Sequence, residues 1–178
     1  MKTIIVDEIS KITGIKSKLE KLLKIKISIK KEEVSIEGIP DDEYFAEQVI
    51  EAIDFGFPLS VAILIKTEDF TFEVLNIKNY THRKDLESIR ARIIGTGGGT
   101  FRTLSDLTEC HFQIKNNEVG IIGAPEYIKN ASDAIISIIR GSKQANVYAF
   151  LEKHKIPPVL DLGLKEQKPK KTKKRQDK

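Results

Sequence analysis

Ala91 to Leu107 reads ARIIGTGGGTFRTLSDL, and four of the chain's 11 glycines stand between Gly95 and Gly99. A backbone so short of side chains admits close approach by an anion or another polymer. The flanks decide which. A P-loop needs a lysine and a hydroxyl after its last glycine, but Thr100 and Phe101 follow here. A dinucleotide-binding turn needs G-x-G-x-x-G between a strand and a helix. Gly95 to Thr100 ends in threonine instead. It is preceded by Leu86, Ile89 and Ile93 at helical spacing, behind Thr81 as the candidate N-cap. The glycines therefore join a helix to a helix. That setting suits a clamp on the backbone of a few single-stranded nucleotides, or a plain turn in a helical hairpin.

Other reactive residues form no constellation. His82, His111 and His154 lack ligand spacing, so no metal is expected. Asp41-Asp42 sit at a helix start and Glu32-Glu33 in a hairpin, where capping and a solvated turn account for them. Ser105 and Asp106 have no histidine placed beside them. Neither catalysis nor a cofactor is expected.

The elements around the glycines give them a context. Phe70, Phe72 and Val74 alternate as a strand before the first helix. Phe101, Leu104 and Leu107 stripe a short second helix. Cys110, Phe112 and Ile114, then Val119 and Ile121, alternate around Asn116-Asn117, which reads as a hairpin turn. Pro125 opens a last helix carrying Ile128, Ala131, Ile135 and Ile138. Strand, helix, glycine loop, helix, strand, strand, helix is the order of a type I KH domain, whose GXXG loop grips single strands.

The chain repeats itself at an offset of 85 residues. EVSIEG (Glu33 to Gly38) falls on EVGIIG (Glu118 to Gly123), Pro40 on Pro125, Ile50 on Ile135 and Gly56 on Gly141. A period this long signals a duplicated domain. Gly95 to Gly98 fall on Ser10-Lys11-Ile12-Thr13, where every residue carries a Cβ, and only nine residues precede them. The first copy has thus lost the loop and the first helix, and is expected to serve as a scaffold or protein-contact surface. PLSVAILI (Pro58 to Ile65) and GSKQANVYAFLEKH (Gly141 to His154) read as added helices, with Val147, Phe150 and Leu151 as packing residues.

Bulk composition narrows the rest. The longest apolar run, Val61 to Ile65, cannot span a bilayer. No leader is recognised, and Cys110 is the single cysteine, which leaves no internal disulfide; a cytoplasmic location is expected. The net charge of +4 is uneven: eight Lys or Arg against two acids give residues 165–178 a charge of +6, leaving residues 1–164 at −2. Any nucleic-acid site on the folded part is a local patch, and KEQKPKKTKKRQDK is expected to be a disordered basic tail. Ile156 to Leu164 carries Val159, Leu160, Leu162 and Leu164 past two prolines and reads equally as a packed segment or a docking peptide.

The stretch from Ala91 to Gly123, with GSKQANVYAFLEKH, resembles the archaeal two-KH-domain ribosome-assembly proteins, relatives of the eukaryotic small-subunit assembly factor called the partner of NOB-one. The likeness is strongest at RIIG, EVGIIG and VYAFLE and extends over Lys2 to His154. It implies an α+β fold with two side-by-side type I-like KH domains, three-stranded antiparallel sheets packed with helices. The domains would be residues 1–66, degenerate, and 67–156, with the glycine loop; residues 157–178 would form an extended segment and tail. It implies binding of the 3′ region of small-subunit rRNA or its precursor. Implied protein partners are a 3′-end processing endonuclease, an rRNA dimethylase and the alpha subunit of translation initiation factor two. The family pattern would place lysine or arginine where Thr96, Gly99 and Phe101 stand. RNA contacts are therefore expected from Gly95, Thr96, Gly97, Gly98, Gly99 and Thr100, with charge from Arg92 and Arg102. Ile94 would lie under the bases, and His111, Gln113 and Lys115 on the next strand would read base edges. The thinned charge leaves an alternative, a protein adaptor of KH fold that touches RNA weakly.

Deleting residues 165–178 should flatten the salt dependence of RNA binding, since each neutralised single-strand phosphate contributes about −0.7 to the slope. The melting temperature should stay put. An unchanged slope in fluorescence titrations across ionic strength defeats this assignment.

Overall fold

Two prolines open matching helices. Pro40 and Pro125 each occupy the first turn of a 16-residue helix, where the missing N–H costs nothing. Both helices end at a glycine of positive φ, 125° at Gly56 and 105° at Gly141. The hairpins before them turn at Lys31 and Asn116, both left-handed, at φ 55° and 54°. The repeat is thus one of backbone as well as sequence.

The computed structural model describes residues 1–155. The segment 156–164 and the basic tail lie outside the described residues. The order is β1 (Lys2–Ile5), α1 (Ile9–Leu23), β2 (Lys26–Lys30), β3 (Glu33–Glu37), α2 (Pro40–Phe55), and the single turns α3 (Leu59–Ala62) and α4 (Leu64–Thr67). It continues with β4 (Thr71–Asn76), α5 (Leu86–Ile94), α6 (Gly99–Thr108), β5 (His111–Lys115), β6 (Glu118–Gly123), α7 (Pro125–Arg140) and α8 (Gln144–Lys153). The strands form two antiparallel three-stranded sheets, ordered β1-β3-β2 and β4-β6-β5. Among the described residues no helix is long and apolar enough to cross a membrane.

Where the C-terminal half has helix, glycine loop and helix, the N-terminal half has α1 alone. Ser10 to Thr13 lie inside it, with no loop. Its Ile12, Leu19 and Leu23 are buried with Val34 and Ile36 of β3 and Val49, Ile50 and Ile53 of α2. A second core gathers Ile89 and Ile93 of α5, Leu104 of α6, Val119 and Ile121 of β6, and Ile135 and Ile138 of α7. Val147 and Leu151 of α8 join it, whereas Phe150 stays 41% exposed beside the His154 ring.

One expectation is corrected. Thr81 does not cap α5: its hydroxyl accepts from the Arg83 amide at 3.2 Å, and Asp85, placed directly before the helix, accepts from the Ser88 amide at 3.0 Å. The Phe70–Phe72–Val74 alternation does form a strand, but it faces the other half of the chain. Leu75 and Ile77 serve the second core, while Phe70 and Phe72 pack against the first. Phe72 meets Phe55 and Phe57 edge-on, with centroids 5.9 Å apart in each pair. Ile122 belongs to that first core too. The β4-β6-β5 sheet is therefore packed on its second face as well, around Phe72 and Ile122, with Val74 on that face 41% exposed.

Gly120 is required at this junction, because a Cβ there would fall 2.8 Å from ring carbons of both Phe55 and Phe57. Gly120→Val should destabilise the protein by about 1–3 kcal/mol through overpacking. A urea midpoint equal to that of the parent protein would refute this.

Candidate nucleic-acid interface

The glycine segment is a tight turn with its backbone laid open. Gly95 ends α5 at φ 76°, ψ 170°, and a Cβ on it would come within 2.6 Å of the Thr100 backbone nitrogen. Thr96 to Gly98 form a 3-10 turn in which Gly97 and Gly98 take φ 58° and 76°. The Gly98 amide donates to the Gly95 carbonyl at 3.1 Å. Gly99 returns to φ −60°, ψ −41° and begins α6. Gly98 holds the cap position, so no side chain covers the first-turn amides of the ten-residue α6. That end of the helix carries partial positive charge, and Thr96 and Gly97 beside it are exposed.

The two sides of α5 do different work. Arg90 donates to the Asn116 carbonyl at 3.0 Å and the Asn117 side-chain oxygen at 3.2 Å, tying the helix to the β5–β6 turn. Ile94, one turn on, is half-buried on that same side. Phe101 stacks on Phe112 of β5 with centroids 5.8 Å apart, so it is spent on packing α6 to the sheet. Arg92 points the other way, donating to the Ser142 carbonyl at 2.7 Å behind the loop. Arg102 is exposed and has no ion pair among the described residues.

On β5 the expected readers fall on the covered face. His111, Gln113 and Lys115 pair across with Ile122, Gly120 and Glu118. Alternation sends all three toward the N-terminal half, and Phe112 and Ile114 toward the helices. Gln113 lies against Gly56. Lys115 bonds to Asp7 at 2.9 Å and to the Asp54 carboxylate at 3.2 Å and carbonyl at 3.1 Å. Burial works against its charge, but these two carboxylates outweigh burial and hold its pKa above the ordinary value. What β5 leaves open is its outer backbone edge, since it is an edge strand.

A family model for the second KH domain of PNO1, described as a eukaryotic-type KH domain (KH domain type I), matches residues 71–156. Residues 71–156 are a KH domain of the PNO1 type. The chain is 27% identical over 154 residues to a KH domain-containing protein of Methanocaldococcus jannaschii, covering 83% of this chain and 68% of that one. It is 29% identical over 138 residues to the RNA-binding protein pno-1 of Caenorhabditis elegans, 72% of this chain and 50% of the nematode protein. The match thus spans half the length of that relative. Among solved structures, the a/eIF2alpha-aDim2p-rRNA complex from Pyrococcus horikoshii contains a chain matching with a TM-score of 0.79 and 28% identity, over 86% of this chain and 93% of that one.

Outside the KH domain lies a basic surface that no motif marks. Lys18, Lys21, Lys24 and Lys26 are all exposed on the end of α1 and the start of β2. Among the described residues none has a carboxylate within ion-pair distance. Lys21 and Lys26 line an open groove of about 710 Å³ with Ser17, Glu20, Ile25 and Ile27. Its signal in the sequence is the run from Lys16 to Lys31, which holds one acid, Glu20. A reading led by the glycine loop discounts it.

The KH domain's His111 is held below its usual pKa by burial. The unfolded chain then takes up a proton that the folded one resists. This contribution to stability is complete above about pH 6.5 and is lost as pH falls through the folded value. His111→Gln should flatten that part of the pH dependence in urea melts run between about pH 7.5 and 5. Parallel curves for the two proteins would rule the assignment out.

Proposed function

We propose that this chain is a noncatalytic factor of small-subunit ribosome assembly or rRNA 3′-end processing, binding single-stranded RNA from the 3′ region of 16S rRNA or its precursor. The observation that carries it is the uncapped start of α6 directly behind an exposed glycine turn. A phosphate there would accept from backbone amides of Gly95 to Thr100, with Arg102 adding charge. Bases would lie over Ile94 and meet the free edge of β5. Unpaired bases gain about 1–3 kcal/mol each from stacking or apolar burial. Relatives named for RNA binding and for an rRNA complex support the same reading.

In this proposal residues 67–156 are the RNA-binding KH domain and residues 1–66 a degenerate second copy without a glycine loop. The strand leaving the KH domain would run onto the lysine face of α1 and β2. That differs from a pure scaffold and rests on the unpaired lysines. The alpha subunit of translation initiation factor two is a proposed protein partner, by analogy with the archaeal complex. A processing endonuclease and an rRNA dimethylase would act beside it, in the cytoplasm.

Thr96→Asp with Gly99→Asp tests the loop. Gly99 has a helical backbone and nothing within 4 Å of a Cβ, so the change is unstrained. Binding to a single-stranded RNA of the 16S 3′ end should weaken tenfold or more, about 1.4 kcal/mol. The same charges at Thr3 and Ser60 should have little effect. Lys21→Ala with Lys26→Ala should instead reduce the salt slope by about 0.7 for each phosphate that is no longer neutralised. A loop variant that folds and binds like the control would leave the adaptor reading standing in place of this one.

A further inference from the structure

The glycine loop is held from behind by one side chain of the added helix. Gln144, in the first turn of α8, donates its amide to the Arg92 carbonyl at 2.9 Å and to the Thr100 hydroxyl at 2.9 Å. Arg92 stands in the last turn of α5 and Thr100 in the first turn of α6, so one amide bridges the helices on either side of the loop. Thr100 is 4% exposed, and its hydroxyl has little access to water. Arg92 returns the tie by donating to Ser142, in the link between α7 and α8. Val147 and Leu151, one and two turns along α8, are buried and fix the helix that carries Gln144.

We infer that Gln144 is a positioning residue for RNA recognition, setting the angle at which the loop and the start of α6 meet a phosphate without touching RNA itself. This rests on the reading of the loop as the RNA site. Glycines permit the turn but do not select it, because each visits many backbone states at similar cost. Three consecutive loop glycines carry a large entropy penalty on ordering, and an external clamp that has already ordered them leaves less to lose when RNA arrives. The amide suits the task because its two hydrogens reach two acceptors at once. Ser88, Ala91 and Gly95 lie along the same side of α5, so the clamp sits on the flank opposite Arg90 and Ile94.

Gln144→Met keeps the length of the side chain and removes both donors. Thr100→Val removes one of the two bonds and serves as a second variant should the first lose its fold. In full-length protein without RNA, amide hydrogen exchange at Gly95 to Thr100 should quicken, most in Gln144→Met. Affinity for the 16S 3′-end single strand should fall about fivefold or more, near 1 kcal/mol. The salt slope should not change, because no charge is removed. Asn146→Ala, exposed on the same helix, should behave as the parent protein. Weaker binding with unchanged exchange would mean that Gln144 contacts RNA directly, and would overturn the inference. Faster exchange at full affinity, or no change in either, would overturn it as well. If Thr96→Asp with Gly99→Asp binds normally, the RNA reading of the loop fails on its own account, apart from any result at Gln144.

Discussion

The β4-β6-β5 sheet sends side chains into both cores, Leu75 and Ile121 into the second and Phe72 and Ile122 into the first, and much else follows from that. An antiparallel sheet commonly keeps one face wet. Here the second face lies on α2, sealed by Phe55, Phe57 and Phe72 around Gly120. A side chain at Gly120 would hold the aromatic rings off, and the junction would lose its fit. With the face closed, Gln113 and Lys115 become junction residues. Lys115 spans from its own strand to Asp7 and Asp54, joining the halves through charge as the aromatics join them through apolar area. The Lys115–Asp54 pair is partly shielded from solvent, so its charges act at lower dielectric than exposed ones would, whereas Asp7 is exposed.

That closure confines recognition to the other side of the KH domain, where the loop, α6 and the edge of β5 remain open. The surface there is poor in cations. Arg90 is bonded to the β5–β6 turn and Arg92 to the α7–α8 link, so both arginines order structure. What the loop offers is backbone: amides at a helix start, in a turn whose positive φ values at Gly95, Gly97 and Gly98 favour glycine. Backbone donors do not titrate and gain from being ordered in advance. A cluster of exposed lysines without ion pairs among the described residues lies on α1 and β2, at a distance in sequence from the glycines.

Much of the fold was legible because it rests on local rules. Helix starts at Pro40 and Pro125, the turn at Asn116-Asn117, and alternation along β5 and β6 each follow from a few neighbouring residues. The misplaced cap shows the limit of such rules. Thr81 and Asp85 are both good caps by type, and the irregular stretch between β4 and α5 decided between them. The repeat was visible at its 85-residue offset, as was the absence of the glycine loop from the first copy.

The sequence by itself determined the glycine turn, the element order and the twofold repeat, since dihedral preference and hydrophobic period act over a few residues. Only the tertiary structure decided which face of β5 stays open, where Arg92 points, and that Gln144 reaches both sides of the loop. Each of these depends on a contact between residues far apart in the chain. Alternation shows that His111, Gln113 and Lys115 share a face, but it cannot say what covers that face. Gln144 stands 44 residues from Thr100. Its role exists only because Val147 and Leu151 seat α8 in the second core and bring the amide to the loop.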